Sequence, residues 1–153
     1  MNSKVLSSAI LGIDAYVVEV ECHLTGARIP RFVTVGLPEG AVKESKERVT
    51  AAIRNSGFKI PGKHITISLA PADIRKEGSA FDLPIAIGLL AATGHVMPDY
   101  LGNLLLMGEL ALDGTLRHRS MEHCPLLSVP VIKPFPESFY LWRMPRKLLL
   151  LTV

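Results

Sequence analysis

Residues 83–93 read LPIAIGLLAAT, a stretch with no charge on any side, interrupted only by Pro84 and Gly88. It is far shorter than the roughly 20 apolar residues a membrane span needs, so neither a transmembrane helix nor a membrane partner is expected. A helix that is apolar all round must instead be enclosed by protein. The chain can do this, since 48% of its 153 residues are hydrophobic; that suffices for one core, and nothing in the length calls for a second.

The approach to this helix is abrupt. Residues 64–69 read as a strand, the loop that follows is polar and contains Gly78, and Asp82 then opens the helix. Asp82 is expected to cap it by accepting hydrogen bonds from its first amides, with Gly94 as the stop. Upstream, residues 5–10, 16–24 and 32–35 read as strands, with turns at Gly12-Ile-Asp14 and Thr25-Gly-Ala27, which together suggest an antiparallel meander. A second helix starts at Gly36-Leu-Pro-Glu39, with Pro38 and Glu39 suited to its first turn and Gly57 to its end. Val42, Val49, Ala52 and Ile53 form its apolar stripe, and the pairs Lys43 with Glu47 and Glu44 with Arg48 lie on the wet side. Residues 104–112 and the segment after Asp113-Gly114 read as a hairpin closed by a two-residue turn.

Charge excludes less than the isoelectric point of 9.0 suggests. Residues 1–120 carry 13 Lys and Arg against 12 Asp and Glu, and residues 121–153 carry 4 against 2, so most of the basic excess is in the tail. Alternating signs suit a solvated surface rather than a stripe that tracks phosphates. Cys22 and Cys124 are the only cysteines, which rules out a disulfide framework or a four-cysteine zinc site. The first residues lack the features of a secretory signal, so a cytoplasmic location is expected.

Several motifs invite chemistry. Gly57-Phe-Lys-Ile-Pro-Gly62-Lys63 has the letters of a phosphate-binding loop, but His64 stands where a hydroxyl would hold magnesium. Its context is reversed too, since it follows a helix and feeds a strand, so it reads as a connection. Asp73, Arg75, Lys76, Glu77, Gly78, Ser79 and Asp82 place acids, bases and a hydroxyl within ten residues, which makes Ser79 with Lys76 a candidate nucleophile pair. The competing reading makes Asp82 a helix cap and the rest a solvated turn. His118, His123 and Cys124 are metal ligands by type on a segment without readable structure. Met97, Met107 and Trp142 read as packing residues.

Taken in order, Gly36-Leu-Pro38, Ala41-Val-Lys-Glu-Ser-Lys-Glu-Arg48, Asn55-Ser-Gly57-Phe58, Ala70-Pro-Ala-Asp73, Lys76-Glu-Gly78, Asp82-Leu-Pro-Ile-Ala86 and Gly108-Glu-Leu-Ala-Leu-Asp-Gly114 resemble one family. It is the N-terminal, ChlI-like domain of the YifB/ComM magnesium-chelatase-like AAA+ ATPases, and the resemblance runs from about residue 4 to Arg117. It implies an α/β fold of the α+β type, a mixed β-sheet with packed helices, shared with the Lon protease C-terminal domain and the second domain of a small-subunit ribosomal protein. It also implies that ATP and magnesium belong to a separate ATPase module whose motifs this chain lacks, so that no cofactor or metal is expected here. In the family that module would drive DNA branch migration in natural transformation, and DNA contact and self-association would be properties of the whole. Against the Lon pattern, the position of the proteolytic serine is held by Ala80, with Ser79 one residue out of register, which implies a non-catalytic version of the domain.

The resemblance stops near Arg117. Prolines at 125, 130, 134, 136 and 145 and the run Leu148-Leu-Leu-Leu151 make an unusual domain ending. Residues 122–127 can be encoded so that the frame starting at the last base of the Met121 codon reads Gly-Ala-Leu-Pro-Ile-Ala, and in that frame residues 135–152 can spell a family-like last strand. The expectation is therefore a domain over residues 1–120 and a frame-shifted, truncated tail over 121–153. Losing several hundred Å² of apolar cover at roughly 25 cal/mol per Å² would then leave a marginal, aggregation-prone fold. Two further functional readings stand beside a non-catalytic family domain: a Lon-like serine peptidase using Ser79 and Lys76, and a free-standing nucleic-acid-binding module.

Overall fold

The computed structural model describes residues 1–11, 14–97, 101 and 104–117. Strand β1 (Asn2–Leu11) runs antiparallel to β2 (Asp14–Thr25), with Val5 opposite Val20 and Ser3 opposite Cys22. The other side of β2 takes β4 (His64–Ala70), also antiparallel, with Cys22 opposite Ile67. β3 (Arg31–Val35) lies outside β4 and parallel to it, with Phe32 opposite Ile65, so the order is β1-β2-β4-β3. The sheet is mixed, as expected, but the three-strand meander is corrected, because β3 pairs with β4 and not with β2.

Burial explains the insertion. Ile65, Ile67 and Leu69 of β4 are buried on one face, whereas Val33 and Val35 of β3 remain exposed. The strand with more apolar surface to hide takes the central position. A parallel pair also needs a long crossover, and α1 (Ala41–Asn55), lying between β3 and β4 in the chain, supplies it. At the opposite edge the main chain of Leu6 bridges to Leu105, and Leu106 N–H donates to Leu6 O at 2.8 Å.

α2 (Asp82–Ala92) is the centre of the core, packed on β1, β2 and α1, with all eleven residues buried. It comes so close to the sheet at Gly88 that a Cβ there would sit 2.5 Å from Cys22 Sγ. Ser3 Oγ donates to Gly88 O at 2.6 Å in the same contact. Burial pushes the Cys22 thiol up to about 12.

Both helices end alike. After α1, Gly57 N–H returns to Arg54 O and Phe58 N–H to Ile53 O; after α2, Gly94 N–H returns to Ala91 O and His95 N–H to Leu90 O. This is the Schellman pattern, and both glycines have the positive φ it needs. The start of α1 departs from expectation. It begins at Ala41 with Gly40 as N-cap, while Pro38 bridges to Lys76 and Glu39 N–H donates to Lys76 O at 3.0 Å. That pairing keeps Pro38 and Glu39 out of the first turn, whose acid is Glu44. The stripe of Val42, Val49, Ala52 and Ile53 is buried as read, together with Ser45.

The hairpin forms from two short strands, β5 (Glu109–Leu110) and β6 (Leu116–Arg117). Its turn is longer than the two-residue form. Gly114 N–H bonds to Ala111 O and Ala111 N–H to Thr115 O, and only Gly114, not Asp113, has positive φ. This is a three-residue loop whose glycine fills the left-handed position. Met107 is half-buried, whereas Met97 is 57% exposed and is not a packing residue. Among the described residues no helix is long and apolar enough to cross a membrane. His118, His123, Cys124, Trp142 and the tail over 121–153 lie outside the described residues.

Candidate functional site

The polar loop between β4 and α2 turns out to be partly interior. Asp73, Arg75 and Glu77 are exposed as read, but Lys76 is fully buried, which corrects its assignment to a solvated turn. The cause is its main chain: Lys76 N–H donates to Leu37 O at 3.1 Å and its carbonyl accepts from Glu39, so the residue is stitched beneath the segment that precedes α1. Its ammonium turns back on its own loop and donates to the carbonyls of Pro71 and Ile74. Burial lowers the proton affinity of that ammonium, and the charge of Asp73 opposes the shift. Tyr16 Oη donates to Arg75 O at 3.0 Å, and Arg75 pairs with Glu39 at 3.4 Å.

Ser79 looks the other way. Its hydroxyl donates to Glu109 Oε2 at 2.5 Å, and Glu109 Oε1 pairs with Arg117 at 3.5 Å across the hairpin. Ser79 and Lys76 thus take separate partners, and no hydrogen bond joins them among the described residues.

Asp82 is not the N-cap of α2. Phe81 holds that position without a side-chain cap bond, and Asp82 is the first helical residue. Its carboxylate is fully buried and receives a two-pronged contact from Arg48, Nε at 2.7 Å on Oδ2 and Nη2 at 3.0 Å on Oδ1, plus Leu110 N–H at 3.3 Å. A charged planar fork matches a carboxylate better than amides do. The start of the helix is served by main chain instead, since Leu83 N–H donates to Gly108 O at 3.0 Å.

Arg48 is the residue that sequence reasoning misplaced. It does approach Glu44 at 3.5 Å, but its guanidinium also donates to Ala41 O at 2.7 Å and turns inward to Asp82. The hydrogen bond to Asp82 is the main reason its proton affinity rises; burial opposes this, and the charges of Asp82, Glu109 and Glu44 add to it. The available signal was an aspartate opening an otherwise apolar helix, which demands a buried counter-charge, but nothing local says which arginine supplies it. Glu109 was missed for the same reason.

Chemically the arrangement is a polar seam in two parts, Arg48 with Asp82 and Ser79 with Glu109 and Arg117, linked where the N–H of Leu110, the residue after Glu109, donates to Asp82. Arg48 of α1, Asp82 of α2, Ser79 of the loop, and Glu109 and Arg117 of the hairpin join four pieces of chain around the start of α2. The stretch from Gly57 to Lys63 runs out of α1 into β4, so it presents no helix N-terminus to a phosphate. Among the described residues no group of three or more His, Cys, Asp or Glu side chains is placed to hold a metal ion.

The profile of the family described as subunit ChlI of Mg-chelatase matches residues 18–127. The competence protein ComM of Haemophilus influenzae is 50% identical over 113 residues, covering 74% of this chain and 22% of that protein. The uncharacterized protein YifB of Escherichia coli is 50% identical over 115 residues, covering 75% and 22%. An uncharacterized protein of Mycobacterium bovis is 40% identical over 114 residues, covering 74% and 22%. The chain spans about a fifth of the length of these relatives.

Proposed function

Since the chain belongs to the family of the ChlI subunit of Mg-chelatase, we propose that it is the non-catalytic N-terminal domain, or a fragment of it, of a ComM/YifB-like AAA+ ATPase. The observation that carries this is the 50% identity to ComM over three quarters of the chain, set against only 22% of ComM itself. Most of such a protein lies outside the matched region, and ATP, magnesium and hydrolysis belong there in this reading. The domain's own role is to assemble with that module and position it, in the cytoplasm, during ATP-driven DNA branch migration in natural transformation. DNA contact and self-association go with the complete protein.

The polar seam supports a positioning role. Ser79 donates a hydrogen bond to Glu109, and the Lys76 ammonium is turned to main-chain carbonyls, so the two groups a Lon-like peptidase would pair are engaged elsewhere. Among the described residues, the mixed sheet with two helices suits the Lon-like and ribosomal-protein-like fold that goes with this reading. The domain is taken to end near residue 120, with 121–153 read in a shifted frame; sequencing the gene from genomic template across that region tests this directly.

The functional test is a graft. Residues 1–117 of this chain replace the matching segment of Haemophilus ComM, and natural transformation of the bacterium is counted. Transformation near the level of the unaltered protein is expected, while purified chain alone shows neither ATP nor peptide hydrolysis. A well-expressed graft that leaves transformation at the level of a strain without ComM, or peptidase activity abolished by Ser79→Ala, would overturn the proposal.

A further inference from the structure

Lys76 is fully buried, yet its charge meets no carboxylate in an ion pair among the described residues; its ammonium donates only to the carbonyls of Pro71 and Ile74. A buried charge is ordinarily paired with an opposite one or surrounded by oriented dipoles. Here the dipoles are main-chain carbonyls of the loop that the lysine itself closes. The residue's own main chain hooks Leu37 and Glu39 on the far side, so one residue ties together the exit of β4, the loop and the approach to α1.

We propose that the loop from Pro71 to Lys76 is a main-chain cage for a primary ammonium ion, filled by the chain's own Lys76, and that this internal cation sets the conformation linking β4 to α2. An ammonium carries three donors in a tetrahedral spread, so it can satisfy carbonyls arriving from two places in a short loop, which a single N–H cannot. Asp73, Arg75 and Glu77, exposed on either side of Lys76 in the chain, and Glu39, which pairs with Arg75, are the charged groups of the segments that meet here. Of these, Asp73 favours the charged ammonium while burial disfavours it. The lysine is thus a positioning residue for the segment carrying Ser79 and Asp82, and this inference holds whether or not the chain belongs to a larger ATPase.

A cage defined by carbonyls binds the cation and not the alkyl chain, and the missing fragment can be supplied from solution. In the full 153-residue chain, Lys76→Ala removes Cγ, Cδ, Cε and Nζ, the heavy atoms of propylammonium. Thermal unfolding is followed by far-ultraviolet circular dichroism with propylammonium chloride, and with 1-propanol and tetramethylammonium chloride as controls. Lys76→Ala is expected to lower Tm by about 5 °C or more. Propylammonium should recover part of that loss saturably, with neither control doing so and the unsubstituted chain indifferent to all three. Lys76→Met, which keeps the apolar stem and lacks the charge, should be destabilised and not recovered. Equal recovery by 1-propanol, or a Lys76→Met chain as stable as the original, would overturn the proposal. If Lys76→Ala fails to fold without additive, a folded transition that appears with propylammonium alone supports it. If that variant stays unfolded in every additive, Lys76→Met decides, and retained stability in it refutes the cage.

Discussion

Replacing Arg48 by Met should be the most damaging conservative change at the polar seam. The substitution keeps the unbranched stem and removes the guanidinium, stranding a carboxylate that is 0% exposed with only Leu110 N–H at 3.3 Å. Two charge-assisted hydrogen bonds are lost, at 2.7 and 3.0 Å. Each such bond contributes about 1.5–3 kcal/mol, and breaking a buried pair from one side costs about 3–5 kcal/mol. Because the Arg48 side chain is still 19% exposed, solvent screening puts the expected loss nearer the lower end, about 3 kcal/mol. That is a large share of a typical 5–15 kcal/mol. Asp82→Asn should cost less, about 1–2 kcal/mol, because the guanidinium it leaves reaches water and still has Glu44 and Ala41 O. Urea unfolding of the two single variants and the double variant, followed by circular dichroism, measures the coupling. A coupling energy below about 0.5 kcal/mol, or Asp82→Asn proving the more harmful, would refute the argument that a desolvated carboxylate dominates this site.

Three further outcomes follow from the same geometry. Gly88→Ala brings a Cβ to 2.5 Å from Cys22 Sγ, so it should destabilise by about 1–3 kcal/mol despite alanine's better helix propensity, and Cys22→Ala should relieve much of that in a double-variant unfolding experiment. The Cys22 thiol is held neutral up to about 12 in the folded state against 9.0 for its ordinary value. The folded state therefore keeps a proton that the unfolded chain releases, and stability should be fully present below pH 9 and fall between pH 9 and 12. Measuring unfolding against pH in the original chain and in Cys22→Ala isolates this slope, since Lys76, with a lowered proton affinity, acts in the opposite direction in both. Ser79→Ala removes the donor to Glu109 and should cost about 1 kcal/mol in denaturant midpoint analysis, with no other functional signature.

Local order in this protein could be read from the chain because it depends on local rules. The four main strands follow from runs of β-branched and apolar residues, and the two helix ends from glycines at positions that need positive φ. The enclosure of α2 follows from its having no polar side, and all eleven of its residues are buried. Tertiary structure alone decided partners. β4 displaced β3 from β2 because its apolar face had more to bury. The carboxylate of Asp82 went to Arg48 because a paired buried charge outweighs a helix cap. Lys76 became interior because its main chain is held by Leu37 and Glu39, which no spacing along its own loop announces. The physical reason is common to all three. Periodicity and capping act over a few residues, whereas strand order and charge pairing are set by contacts between residues about 33 to 51 positions apart along the chain, which exist only once the core has closed.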